Sequence, residues 1–325
     1  FNNPAQPSYE ASYLKRVANQ VYGSLAKADK NAIWLQMTWL FYDDGKAWTN
    51  ERIKAYITAY PASKSILLDY YCEQHEVWKQ TDKYYGVPYI WCYLGNFGGN
   101  TMLAGNIAEV NKRVENVFKN GGRNFTGLGS TLESFDCNPF MYEYIFEKAW
   151  NFDTHKDVNR WAEHLADEHT GKVDDNARKA WNMLVNKIYI QSDYPGQCPV
   201  INIRPSFGGF KTYYSSPRIP YKNKGLLEAT ELMLQADSKT QTYAFDVVNL
   251  ARQLISNYYG DVFKEYEQAY NKNDFKTMKA KEFIMLGILD DVDRLVSSQS
   301  TFLMGKWIKE AREKGVADAE KLYYE

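Results

Sequence analysis

The side chains best suited to chemistry stand where apolar runs of the sequence end. Glu133 closes the run FTGLGSTLE, residues 125–133. A carboxylate leaving the end of a buried strand can act as a nucleophile or move a proton at a reacting carbon. It can equally be an acid placed ahead of the next helix, where the macrodipole favours negative charge. The residues alone leave both roles open. Trp39, Tyr70 and Phe97 also stand at the ends of apolar runs. Aromatic rings offer a flat apolar face to the C–H side of a sugar, or they fill a core; spacing does not separate the two. NFGGN, residues 96–100, lacks the Lys-Ser/Thr of a phosphate loop and the spacing of a dinucleotide fingerprint. It reads as a tight strand-to-helix turn.

Other chemistries find little support. The histidines are His75, His155, His164 and His169. HLADEH spaces two of them five apart, off one helix face and unlike HExxH. No metal and no cofactor are expected. No serine or cysteine sits in a GxSxG elbow. Cys72, Cys92, Cys137 and Cys198 match no zinc or CxxC spacing. Two of them lie in strand-like apolar runs and read as small hydrophobes. Asn124-Phe125-Thr126 is a glycosylation sequon, but it opens a buried strand.

The elements that must position these groups alternate up to about residue 150. Strand-like runs cover 32–41, 65–71, 88–94 and 125–133. Helical spacing separates them: Ile53, Tyr56, Ile57 and Tyr60 share one face, as do Ile107, Val110, Val114 and Val117. A further helical stretch, NPFMYEYIFEKAW, ends at Trp150. Strands buried on both faces and alternating with helices predict βα units and a parallel sheet. A doubly wound sheet and a TIM barrel both fit. Polar and aromatic groups at successive strand ends favour the barrel. Four βα units make half a (β/α)8 barrel. From 151 to 325 the pattern is helical, with apolar spacing over 157–170, 174–191, 224–237, 240–259 and 274–298. Within 240–259, Phe245, Val248, Leu250, Leu254 and Ile255 are expected inward. A long loop over about 192–223 interrupts this half. The expected architecture is therefore α/β then all-α: a partial TIM-type barrel over 1–150 and an α-helical domain over 151–325.

Composition bounds the partners. The chain has 325 residues, 24% of them charged, with a net charge of -1. That balance favours neither nucleic acid nor an anionic membrane. No run of 18 apolar residues could span a bilayer. The 26 Tyr, 16 Phe and 9 Trp suit either a large aromatic core or a carbohydrate platform.

Several stretches resemble one family, the α-N-acetylglucosaminidases of glycoside hydrolase family 89. They are FNNPAQPSYEASYL, WLQMTWLF, LLDYYCE, PYIWCYLGNFGGN and GLGSTLESFDCNP, followed by IRPSF and FLMGKWIKEAR. The resemblance implies a TIM-like barrel followed by an all-α domain. It implies hydrolysis of terminal non-reducing α-linked N-acetylglucosamine with retained configuration, by two carboxyl groups about 5–5.5 Å apart. Glu133 takes the position of the nucleophile. Asn2, Trp39, Tyr70, Leu94 and Phe97 take positions that bind the sugar. Two departures stand out. The family's acid/base glutamate belongs in an FNE motif, and this chain has Asn3 there; Gly95 stands where the family has a His. The chain opens without Met, and the barrel's first half and an aromatic C-terminal extension are expected from the same polypeptide. The rival readings are a catalytically weakened sugar-binding homologue and a purely structural fragment. By resemblance the setting is secreted, periplasmic or lysosomal. Assembly into a homo-oligomer stays open.

Overall fold

The structure, a computed structural model, describes residues 10–95, 102–133, 139–151, 157–191, 198–204, 206–207 and 218–323. The chain divides into two compact units, Phe1–Gly99 with Asn106–Lys156, and Asn100–Gly105 with Asp157–Glu325.

The first unit is built on four strands in the order β1-β2-β3-β4: Trp34–Met37, Ser65–Asp69, Tyr89–Tyr93 and Phe125–Ser130. All three pairings are parallel, as βα alternation demands. Trp34 stands opposite Ser65, Leu67 opposite Tyr89, and Tyr93 opposite Ser130. These strands are the partial barrel. The central strands β2 and β3 are mostly buried, as a parallel sheet covered on both faces should be. The outer two are not. Leu35 is 56% and Met37 57% exposed on β1, and no residue of β4 is fully buried. The expectation that all four strands are buried on both faces fails there: the face of β1 that carries Leu35 and Met37 is uncovered, and β4 is only partly covered.

Helices fill the connections. Asn50–Ile57 starts at Thr49, whose side chain accepts from the Arg52 N–H, and it buries Ile53 and Ile57. Ile107–Asn120 is capped by Asn106, whose Oδ1 accepts from Glu109 N at 3.0 Å. It buries the four residues whose spacing predicted its face, Ile107, Val110, Val114 and Val117. Burying a full aliphatic side chain contributes about 1.5–3 kcal/mol, so this stripe is what docks the helix. Pro139–Trp150 buries Phe140, Met141, Tyr144 and Ile145. The run predicted as a strand over 32–41 ends early, and Leu40–Asp43 turns into one helical turn.

The second unit is helical: Val158–Thr170, Asp175–Lys187, Asn223–Leu234, Gln241–Asn271, Phe275–Val296, Met304–Lys314 and Asp318–Tyr323. Helix starts fall where capping residues stand. Asp157, Asp174, Thr240 and Asp274 each accept backbone N–H groups of the first turn. Gln241–Asn271 runs past the predicted end at 259, and its buried face differs from the predicted one. Val248 and Leu250 are buried, whereas Phe245, Leu254 and Ile255 are only half-buried. The deeply covered positions include Asp246, Asn249, Arg252, Gln253, Ser256 and Asn257. Their side chains are tied by hydrogen bonds. Gln253 Nε2 donates to Asn257 Oδ1 at 2.8 Å, and Gln253 Oε1 accepts from Leu103 N at 3.0 Å. A buried polar stripe holds only when its members are paired in this way.

Candidate active site

The carboxyl ends of the four strands carry the candidate residues. After β1, Thr38 is fully buried: its hydroxyl donates to Leu68 O at 2.8 Å and accepts from the Tyr84 hydroxyl at 3.1 Å. Trp39 follows it and is 37% exposed, so its ring is not a core ring. After β2 comes Tyr70, half-buried. Burial first, and the charge of Glu133 second, push its hydroxyl above the usual tyrosine value. The direction of that shift keeps the Tyr70 hydroxyl protonated as a hydrogen-bond donor. Glu133 is exposed three residues past the end of β4. The next described helix, Pro139–Trp150, has no acid in its first turn.

The strand exits are laced together. Thr131 N donates to Tyr93 O at 3.0 Å, and Thr131 Oγ1 donates to Tyr70 O at 2.5 Å. Ser130 Oγ donates to Tyr93 O at 3.1 Å. Thr131, two residues before Glu133, thus ties the exit of β4 to those of β2 and β3, with Trp39 at the same end of the sheet. Leu94 lies there too, but its side chain is fully buried. Its C=O accepts from the Tyr142 hydroxyl at 2.7 Å. Asn2, Asn3 and Phe97 lie outside the described residues, as does the NFGGN turn.

Three buried carboxylates lie from the end of β2 toward β3; sequence reasoning placed Asp69 at a strand end but missed Glu73 and Glu76. Asp69 receives Val77 N at 3.3 Å and Trp78 N at 3.0 Å. Burial pushes its carboxyl up to about 7 against the pull of those hydrogen bonds. Glu73 receives Leu94 N at 3.1 Å and Gly95 N at 2.7 Å, and burial pushes it up to about 7 as well. Glu76 receives the indole N–H groups of Trp78 at 3.0 Å and Trp91 at 3.3 Å, and pairs with Arg113 at 3.2 Å. The only local signal was an unusual density of acids in LLDYYCEQHE. His75 stacks on Tyr42 at 4.7 Å between centroids, and burial lowers its basicity. Cys72 and Cys92 are buried, and burial raises both thiols, so they pack as small hydrophobes. Among the described residues no group of His, Cys, Asp and Glu could hold a metal ion.

A family model described as "Alpha-N-acetylglucosaminidase (NAGLU) tim-barrel domain" matches residues 1–152. A second, "Alpha-N-acetylglucosaminidase (NAGLU) C-terminal domain", matches residues 161–325, over half of the chain. The chain belongs to the α-N-acetylglucosaminidase family. The parallel strands with Glu133 fall in the stretch matched by the family's barrel domain, and the helical unit in that matched by its C-terminal domain. Human α-N-acetylglucosaminidase is similar over 100% of this chain and 44% of its own length, at 28% identity. The family 89 glycoside hydrolase from Clostridium perfringens in complex with PUGNAc superposes at TM-score 0.83 and 21% identity, covering 96% of this chain and 35% of that one. The same bacterial protein in complex with GlcNAc-α-1,4-galactose superposes at TM-score 0.81 and 22% identity, over 99% and 36%. The chain therefore spans less than half the length of each of these relatives.

Proposed function

We propose that the protein carrying this chain is a retaining exo-glycosidase that removes terminal non-reducing α-linked N-acetylglucosamine, with Glu133 as nucleophile. The observation that carries this reading is the exposed Glu133 carboxylate just past the carboxyl end of β4, where Thr131 ties the exit of that strand to the Tyr70 carbonyl after β2. An ionised carboxylate there can attack the anomeric carbon and form a glycosyl-enzyme, which water then hydrolyses. The protonated Tyr70 hydroxyl is a donor available at the same end of the sheet. Trp39, 37% exposed at the same end, offers a stacking face. The named activity of the human relative supports the substrate class. Sugars of this kind cap heparan-type chains, mucins and bacterial glycans, and a secreted, periplasmic or lysosomal setting goes with them.

One sequence observation favours a weakened catalyst: Asn3 stands where the family resemblance puts the acid/base glutamate. An amide cannot protonate the leaving oxygen. Turnover of an activated aryl α-N-acetylglucosaminide and of an α-linked disaccharide, with and without azide, separates the two readings. A full enzyme cleaves both and ignores azide. A weakened one cleaves only the aryl glycoside and is accelerated by azide, which replaces base-activated water. In either case Glu133→Gln abolishes the glycosyl-enzyme seen by intact-protein mass spectrometry. Persistence of that adduct in Glu133→Gln would remove Glu133 from the role.

A further inference from the structure

The corner where β3 leaves the sheet is held from two sides. Inside it, the buried Glu73 carboxylate collects the N–H groups of two consecutive residues: Leu94 N reaches both oxygens at 3.1 Å, and Gly95 N reaches Oε1 at 2.7 Å. On the other side the Tyr142 hydroxyl donates to Leu94 O at 2.7 Å. Gly95 turns at φ +79°, and a Cβ there would lie 2.3 Å from the Tyr142 oxygen. Glu73 itself leaves the sheet three residues after Tyr70, whose C=O holds Thr131, two residues before Glu133. The corner's next neighbour, Tyr93, also accepts from Thr131 N and Ser130 Oγ. One connected set of hydrogen bonds therefore joins the exits of β2, β3 and β4.

We propose that Glu73 is a positioning residue for the glycosidase reaction: by gathering the Leu94 and Gly95 N–H groups it sets the β3 corner, and through Tyr93 and Thr131 the placement of Glu133 at the exit of β4. This rests on the reading of Glu133 as nucleophile. A carboxylate deep in the protein is costly unless its oxygens are occupied by donors. Here the donors are backbone groups of the corner itself, so the interaction specifies a backbone shape. Glu73→Leu keeps bulk and removes both acceptors. Glu73→Gln keeps a carbonyl oxygen at Oε1, the atom that already receives both N–H groups.

The test uses the intact enzyme with an aryl α-N-acetylglucosaminide. Glu73→Leu is expected to lower kcat at least tenfold with KM changed less than threefold, and Glu73→Gln to recover most of that loss. Hydrogen exchange at the Leu94 and Gly95 amides, expected slow in the wild type and in Glu73→Gln and fast in Glu73→Leu, reads the corner without reference to activity. Where Glu73→Leu does not fold, Glu73→Asp, which withdraws the acceptors by one bond, takes its place with the same expectation. Wild-type kcat in a folded variant whose amides exchange fast overturns the proposal, and so does unchanged exchange. A wild type that fails on the aryl glycoside defeats the proposed function instead, and the exchange measurement still decides whether Glu73 holds the corner.

Discussion

At the scale of single residues, the site is a set of groups whose properties come from their immediate cover. Tyr70 holds its proton because burial and a neighbouring carboxylate both oppose ionisation. Gly95 shows the same locality in backbone terms. Its φ of +79° disfavours any L side chain, and the Tyr142 hydroxyl fills the space a Cβ would need. Gly95→Ala should cost about 1–3 kcal/mol by strain and overpacking, measured by denaturant unfolding. In Tyr142→Phe the same substitution should cost less, since the closest atom is gone. An equal cost in both backgrounds would mean that the φ angle alone sets the penalty. The family resemblance puts a His at this position, so the glycine marks a local difference in the corner. NFGGN promised a turn just beyond it, while the crowding at Gly95 was not legible, because the closest group comes from a tyrosine 47 positions later, at 142.

At the scale of elements, the sequence announces starts and stops better than lengths. Asp174 opens Asp175–Lys187 by accepting Asn176 N at 3.0 Å and Ala177 N at 2.9 Å, and its other oxygen accepts Asp237 N at 3.0 Å. Asp174→Ala should cost about 1 kcal/mol or slightly more, because the cap also ties down a second loop. Chemical denaturation measures it, and a neutral result would show that water replaces all three bonds. The entry to β4 uses the same device. Asn124 Nδ2 donates to Lys83 O and Val87 O, both at 2.7 Å. An amide so engaged is a poor glycan acceptor, and peptide mass spectrometry of protein from a glycosylating host should find Asn124 bare. Strand extents were read too long at 32–41 and 125–133. Past Met37 apolar residues continue through Trp39, Leu40 and Phe41, and pairing, which ends a strand, depends on the neighbour.

At the scale of the whole molecule, the raised carboxylates give stability a direction in pH. Asp69 and Glu73 sit near 7 in the fold, whereas in the unfolded chain they return to ordinary carboxylate values near 4. Between about pH 4 and 7 the native state therefore binds more protons than the unfolded one, and stability falls as pH rises through that window. His75, whose basicity burial lowers, acts oppositely near its ordinary value of about 6.5. Two carboxylates outweigh one histidine, so Tm should be higher at pH 5.5 than at pH 7.5. Glu73→Gln, with nothing to ionise, should flatten the slope. A Tm that rises with pH over this range would show that the two groups stay ionised in the fold.

The order of elements, the parallel sheet, the helical second half and the placing of Glu133 and Tyr70 at strand ends were all determined by sequence. Each rests on local information: apolar periodicity, capping residues and turn chemistry within a few positions. Tertiary structure alone decided the rest. Glu73 became a buried acceptor because Leu94, 21 residues away, presents its N–H there. Gln253 turned inward on a helix whose pattern pointed to Leu254 because Leu103, 150 residues away, supplies a donor. A polar side chain is placed by the partner that satisfies it once water is excluded, and that partner is chosen by the fold rather than by its neighbours in the chain.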